Sequence, residues 1–529
     1  MSLTLTPEYE ASYKSFSTYP QNLLNTHAFF PAALRAYKIH LDAAEDTLFV
    51  QNENAVDVPI ADLDENGNYI RKKNIFSDQK LREYIGDTVE EDVQTHELIR
   101  GSYASRPDPK CRFIYFWAKN TQAPLKITRK MLTRIMTYHQ VTPQFFEFLF
   151  LFGQRSNAHD LRYSGFREKT SLDFPSPGQA LPALGRSGKH FQLCYNLKRP
   201  ESLTPPGTPF RDQEWSIRPA AIFHHFDVET GGTMWIVIKR DLGLKEDIQE
   251  LTGPDGRIKD RSFATPGQSF RSSLAVHSLL AHWATTNWRW YIQYLEDTVD
   301  KETQAAVHGS RELVSNRKNF SPMDLQHVQW WEERAVEAKL ILGGISNVLQ
   351  AIIDYYASLL SHRNFSLSTT CRPDIESLAA QMRDAIADCK MQRDRAELLT
   401  QIASQRKTLI LQHLQSQATE KMENLSLMTQ KEAIAMRIIT VVTLIYLPGT
   451  FVSTFFSTDV VTYQGDRNSE SSSSNLGTSF STTAMYRWLQ VALPLTFCTL
   501  GISWIVYKYA TMKTVTRLSK HWENISLPR

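Results

Sequence analysis

An α+β cytosolic domain followed by long helices and a two-helix transmembrane C-terminus is the fold class that three features of this 529-residue chain predict. Strand and helix signals mix up to about residue 270, strand signals cease beyond it, and two nearly charge-free apolar segments stand close to the end. The chain divides on this reading into 1–270, a cytosolic α/β domain; 271–365, its helical part; 370–432, a long stalk helix; 433–457, a first span; 458–485, an outer Ser-rich loop; 486–509, a second span; and 510–529, a basic cytosolic tail.

In the first part, "CRFIYFWA" (111–118) and "FQLCYNL" (191–197) read as strands, the latter with Phe191, Leu193, Tyr195 and Leu197 alternating. "AIFHHFDVETGGTMWIVIK" (221–239) reads as a hairpin turning at Gly231 and Gly232. "TRKMLTRIMTYH" and "TPQFFEFLFLFG" read as helices, the second with Thr142 as N-cap, Pro143 at the first helical position and Gly153 at its end. Residues 168–212, rich in Pro, Gly and Ser around the strand at 191, read mostly as loop.

Beyond 270, Leu274, Ala281, Trp288, Ile292, Leu295 and Val299 fall on one helical face, and a second helix runs over 322–360 with Gly343 and Gly344 inside it. A third begins after Pro373. Its apolar residues keep three- and four-residue steps from Ile375 to Cys389 and again from Ile410 to Leu425, the spacing of a coiled-coil stalk, with no proline before Pro448. That predicts one continuous helix running into the first span and able to transmit motion to it.

Residues 433–457, "AIAMRIITVVTLIYLPGTFVSTFFS", carry a single charge, Arg437, and at about 1.5 Å per residue are long enough for the hydrocarbon layer. Residues 486–509 form a second such segment, with Tyr486, Trp488, Trp504, Tyr507 and Tyr509 as interfacial anchors. Basic residues flank the pair on one side (Lys421, Lys431, Arg437 before it; Lys508, Lys513, Arg517, Lys520 after it), which places both termini on the cytosolic side.

Composition narrows the function. With 59 basic and 56 acidic residues the charge is balanced, so no nucleic-acid partner is expected; membrane lipid is. The five cysteines are scattered without a CxxC pair, which fits reduced thiols rather than a disulfide scaffold or thiolate metal site, and the N-terminus lacks the pattern of a signal peptide. In "HHFD", His225 and Asp227 share a strand face while His224 points the other way, so the three do not converge on a metal. The tryptophans at 283, 288, 290, 330 and 331 read as core or helix-packing residues. No phosphate-cradling Gly loop, nucleophile elbow or HExxH is present, and neither an enzymatic activity nor a cofactor is predicted.

The first span carries the chemistry. Steps of three and four from Met436 give Thr440, Thr443, Leu447, Thr450, Thr454 and Ser457, a stripe that is mostly hydroxyl. Hydroxyls in lipid bond back to their own helix, pack against another, or line a wet pathway. Two spans cannot enclose a pore, so pore lining requires a homo-oligomer.

In this order of parts, and in "YLPGTFVSTFFS" and "ALPLTFCTLGISWIVYK", the chain resembles the CorA-type divalent-cation transporters, in particular their divergent fungal branch. That resemblance implies a pentamer whose first spans line the pore, Mg²⁺ or another divalent cation as the transported and a regulatory ion, and a Gly-Met-Asn signature at the outer mouth. Here those three positions fall on Ser457, Thr458 and Asp459, so the signature is absent and Asp459 is the metal-facing candidate. Two functions follow: a CorA-like homo-oligomeric pore for divalent cations, or a non-conducting membrane-anchored scaffold or sensor that keeps the architecture.

Overall fold

The computed structural model describes residues 3–25, 29–91, 98–120, 123–154, 162–204, 208, 214–308, 320–457 and 482–525. The chain divides into two compact units, 1–412 and 413–529.

The first unit is built on one seven-stranded sheet. Its strands are β1 (Val58–Leu63), β2 (Tyr69–Ile75), β3 (Cys111–Trp117), β4 (Phe166–Ser171), β5 (His190–Ser202), β6 (Trp215–Asp227) and β7 (Thr233–Lys239), in the spatial order β2-β1-β3-β7-β6-β5-β4. All neighbours are antiparallel except β3 and β7, which run parallel with Ile114 opposite Ile236. The long β5–β6 ladder sets Tyr195 opposite Ile222, and β6 turns back into β7 through Gly231, whose φ of 71° suits glycine.

Both faces of the central strands are buried, because both parities of each strand are apolar. Phe113, Tyr115, Leu193, Tyr195, Ile222, Trp235 and Val237 join a core shared with α6 (Pro266–Thr285), α7 (Trp288–His308), α8 (Pro322–Ser361) and the first turns of α9 (Arg372–Ser457). Ile114, Phe116, Cys194, Phe223, Ile236 and Ile238 face the opposite core, with α1 (Pro7–Lys14), α2 (Pro31–Ala43), α3 (Asp78–Ile85) and α4 (Arg129–Tyr138); α5 is Gly243–Thr252. The edge strands carry the charge, Arg71, Lys72 and Lys73 on β2 and Arg167, Glu168 and Lys169 on β4, which discourages further strands from adding there.

The predicted strands at 111–118 and 191–197, the hairpin at 221–239 and the helix over 129–138 are all present, the last capped by the Thr128 side chain on the Met131 N–H. Three readings are corrected. "TPQFFEFLFLFG" forms only a 3₁₀ turn (Pro143–Phe145) and one α-turn (Phe146–Leu149), and Thr142 makes no side-chain cap. The Thr142 N–H is instead held by Gln192 Oε1 at 2.9 Å, which ties this segment to β5. Residues 166–171 form an edge strand rather than loop. Trp283 and Trp288 are buried, but Trp290 is 45% and Trp330 49% exposed, two residues of rotation past the packed face in each helix.

In the second unit, α9 continues unbroken through Pro448 to Ser457, and α10 runs from Thr482 to Ile525. Three described helices are long and apolar enough to cross a membrane, within 322–361, 372–457 and 484–509.

Candidate functional site

Every predicted stripe residue of the first span up to Ser457 lies on α9, and each is exposed. Thr440 Oγ1 donates to the Met436 carbonyl at 2.7 Å, Thr450 Oγ1 to that of Leu447 at 3.0 Å, Thr454 Oγ1 to that of Thr450 at 2.9 Å and Ser457 Oγ to that of Thr454 at 2.8 Å. Thr443 bonds the Ile439 carbonyl at 2.6 Å in the same way. A hydroxyl so bonded has spent its one proton and turns its remaining lone-pair capacity outward. The stripe is therefore a row of acceptors on an otherwise apolar helix, with Met436 and Leu447 completing it. Thr458 and Asp459, two of the three signature positions, lie outside the described residues, as does most of the Ser-rich loop.

The opposite side of the helix packs on α10. Pro448 and Val452 are buried, as is Ala492 of α10, and the Trp488 indole donates to Ser453 Oγ at 3.0 Å. A Cβ placed on Gly449 would meet the Trp488 ring at 3.8 Å, ordinary contact, so glycine here is compatible with close approach without being demanded by it. At 3.6 residues per turn, the stripe is centred roughly 150° around the helix from Pro448 and Val452. Thr450 and Thr454 border an open apolar groove shared with Leu495 and Thr499 of α10, at the edge of the seam and not inside it. Pro448 deprives its own helix of one N–H, but the helix continues, so the Pro-Gly pair marks a contact face and not a break.

Sequence reasoning placed Trp488 only as an interfacial anchor. Its packing against Gly449 and Ser453 is a pairing across the hairpin, and the signal that could have found it is the run of small residues Gly449 and Ser453 at four-residue spacing.

In the first unit the two histidines of "HHFD" do part company. His224 stacks on Trp235 at 3.8 Å between ring centres and shares a hydrogen bond with His277, which in turn meets the Tyr195 hydroxyl at 2.7 Å. His225 faces the other layer, stacked on His190. Burial holds all four imidazoles below their ordinary range, His190 at about 4 and His277 at about 3, so they stay neutral near pH 7. No group of three or more His, Cys, Asp or Glu able to hold a metal occurs among the described residues.

The profile of the CorA-like transporters matches residues 11–307, all within the first unit. Among solved structures, the chain is similar to the full-length CmaX protein at 13% identity, over 86% of this chain and 97% of that one, with a TM-score of 0.31. It is also similar to the complete CorA magnesium transporter from Methanocaldococcus jannaschii at 12% identity, over 84% of this chain and 97% of that one, with a TM-score of 0.29. No curated protein matches the chain.

Proposed function

The chain belongs to the CorA-like transporter family, and from that premise we propose that it conducts Mg²⁺ or a similar divalent cation through a homo-oligomeric pore, a pentamer as in CorA-type proteins, lined by its first spans. The observation that carries this reading is the hydroxyl stripe from Thr440 to Ser457, which α10 leaves uncovered and whose hydrogens are already bonded to its own helix. Mg²⁺ sheds its water reluctantly, so a pathway for it should offer acceptors to the hydrogens of that water and need not strip the ion. Outward-facing hydroxyl oxygens are such acceptors. In the oligomer the stripe, with Met436 and Leu447, faces the axis, Asp459 forms a ring of carboxylates near the outer mouth, and both termini lie on the cytosolic side.

A ring of carboxylates attracts divalent ions more strongly, and discriminates among them less, than the carbonyls and amide of a Gly-Met-Asn mouth. The replacement of that signature by Ser457-Thr458-Asp459 is also the specific observation favouring the second reading, a non-conducting scaffold or sensor. Growth of cells lacking their own Mg²⁺ uptake distinguishes the two. Conduction predicts rescue by the wild type and its loss in Thr450→Leu and Asp459→Ala, each inserted normally. Absence of rescue by well-inserted wild-type protein supports the scaffold reading, and a monomer in mild detergent removes the pore reading altogether.

A further inference from the structure

A cavity of about 220 Å³ opens at one end of the sheet, where β3 and β7 begin and β6 ends. Arg186 and His225, 6% and 8% exposed, both line it, and each has a side-chain nitrogen without a hydrogen-bond partner: Arg186 Nη2 and His225 Nε2. A buried donor left unpaired is costly, and more so when charged. The fold does not supply an acceptor for either.

The two carboxylates that line the cavity and Arg112 are already engaged. Asp227 accepts from the Ser187 N–H at 2.7 Å, the Ser187 hydroxyl at 2.8 Å and the Glu229 and Thr230 N–H groups at 3.1 and 2.9 Å. Asp108 accepts from Arg186 Nε at 2.7 Å and the Tyr138 hydroxyl at 3.1 Å, while the Arg186 Nη1 donates to the Tyr138 carbonyl at 3.0 Å. Arg112 is clamped on Asp62 at 2.8 and 3.0 Å. Asp227 thus accepts four hydrogen bonds and Asp108 three, counting Arg112 Nη1 at 3.4 Å, and the nitrogens left open are those of Arg186 and His225. With the charged Arg186 offering an unpaired N–H at the opening, an acceptor anion suits the cavity better than a cation.

We propose that this cavity binds a small oxyanion, a carboxylate or phosphate group, held by Arg186 and His225 with Lys110 at the mouth. Lys110 lines the same cavity and is tied only to Glu65, at 3.7 Å. Gly185 forms another part of the lining, and a side chain built there would meet nothing within 4 Å, so the space is open on that side. Drug-sized ligands occupy pockets of roughly 300–1,000 Å³, so this volume suits an anion of a few heavy atoms. Burial keeps His225 neutral, which lets its ring present Nε2–H without adding a charge. The surrounding charges are nearly balanced, Arg71, Arg112, Arg186 and Lys110 against Asp62, Asp108, Asp227 and Glu65, which favours the singly charged carboxylate over phosphate. The site lies wholly within the first unit, so it stands whether or not the chain conducts.

The test is calorimetric titration of the full-length detergent-solubilised protein with sodium acetate and, separately, sodium phosphate, each against sodium chloride at matched ionic strength. Saturable binding of acetate or phosphate with one site per chain is expected, tighter for acetate. Arg186→Lys, which keeps the charge facing Asp108 but lacks the free Nη2, should weaken it at least about tenfold, one good charged hydrogen bond. Lys110→Ala, at a half-buried position at the mouth, should weaken it about threefold. Thermal melts without ligand verify that both variants fold. No saturable binding of either anion up to about 50 mM, or binding unchanged in both folded variants, overturns the proposal.

Discussion

The molecule contains two kinds of apolar helix whose compositions are nearly interchangeable and whose surroundings are opposite. In α8 the most apolar window is 56% buried, with Ile341, Leu342, Ile345, Leu349 and Ile352 packed on the sheet. In 372–457 and 484–509 the corresponding windows are 11% and 6% buried, and Ile438, Val441, Ile445 and Phe451 are each about half exposed or more. Length and hydropathy identify a helix that avoids water. They do not say whether protein or lipid replaces the water, and here the difference is set by the neighbours: α8 has a strand layer to lie on, whereas the spans have one another and an uncovered surface too large for a soluble chain.

Arginine substitution breaks that comparison most sharply. Leu349→Arg buries a charge with no partner in a close-packed core and should cost more than about 4 kcal/mol, enough to leave no folded first unit by limited proteolysis. Ile445→Arg, in a segment somewhat more apolar, should leave the proteolytic pattern of the first unit intact and instead cost about 3–4 kcal/mol of membrane insertion. The milder pair runs the same way: about 2–5 kcal/mol lost in chemical denaturation for Leu349→Ala, and under about 0.5 for Ile445→Ala. Equal losses at both positions would mean that both helices are protein-covered.

A smaller effect follows from acid. The buried imidazoles of the first unit are held neutral by the fold, with His190 at about 4 and His277 at about 3 against about 6.5 in an unfolded chain. Between those values the unfolded chain binds protons that the folded one does not, so stability is fully present above pH 6.5 and falls as pH decreases through the window. The slope is about 1.4 kcal/mol per pH unit for each such imidazole. Carboxylates held low by arginine, such as Asp78 and Asp108, add their loss only near and below about pH 4. Denaturant midpoints for the first unit should therefore drop between pH 6.5 and 5, and a flat profile there would contradict the neutral, buried histidine pairs.

How much of this could be read from sequence depended on whether a feature was local. The strands at 111–117 and 191–197 were legible because their apolar runs announce burial by themselves, and the β6–β7 hairpin because Gly231 and Gly232 sit between two such runs. The parallel pairing of β3 with β7 was not, since nothing near Ile114 refers to Ile236. β4 escaped because an edge strand carries charge where a central one carries apolar residues, and "FREKTS" looks like loop. For the candidate site, the hydroxyl stripe was visible as a helical period, while the face that pairs with α10 needed Trp488 from across the hairpin. The cavity at the sheet end was illegible altogether: Lys110, His139, Arg186 and His225 come from four segments that only the fold assembles.

The finest distinction lies within the first span, between the face that α10 covers and the stripe it leaves open. Thr450→Val is nearly isosteric and removes one hydroxyl bonded to its own helix, so folding and oligomeric state should change by less than about 0.5 kcal/mol. In a pore, however, that change replaces a ring of outward acceptors by a ring of methyl groups, and ion flux into liposomes should fall severalfold. If the stripe is instead a dry contact between copies, the methyl packs as well as the hydroxyl did, and flux, if any exists, is unchanged. Ser453→Ala, where Trp488 reaches across from α10, gives the opposite pattern, since it removes the acceptor of the indole and should loosen the hairpin without touching the pathway. Flux loss at Thr450 with an intact hairpin, and a weakened hairpin at Ser453 with flux per assembled oligomer retained, would together assign one face to the ion and the other to the fold.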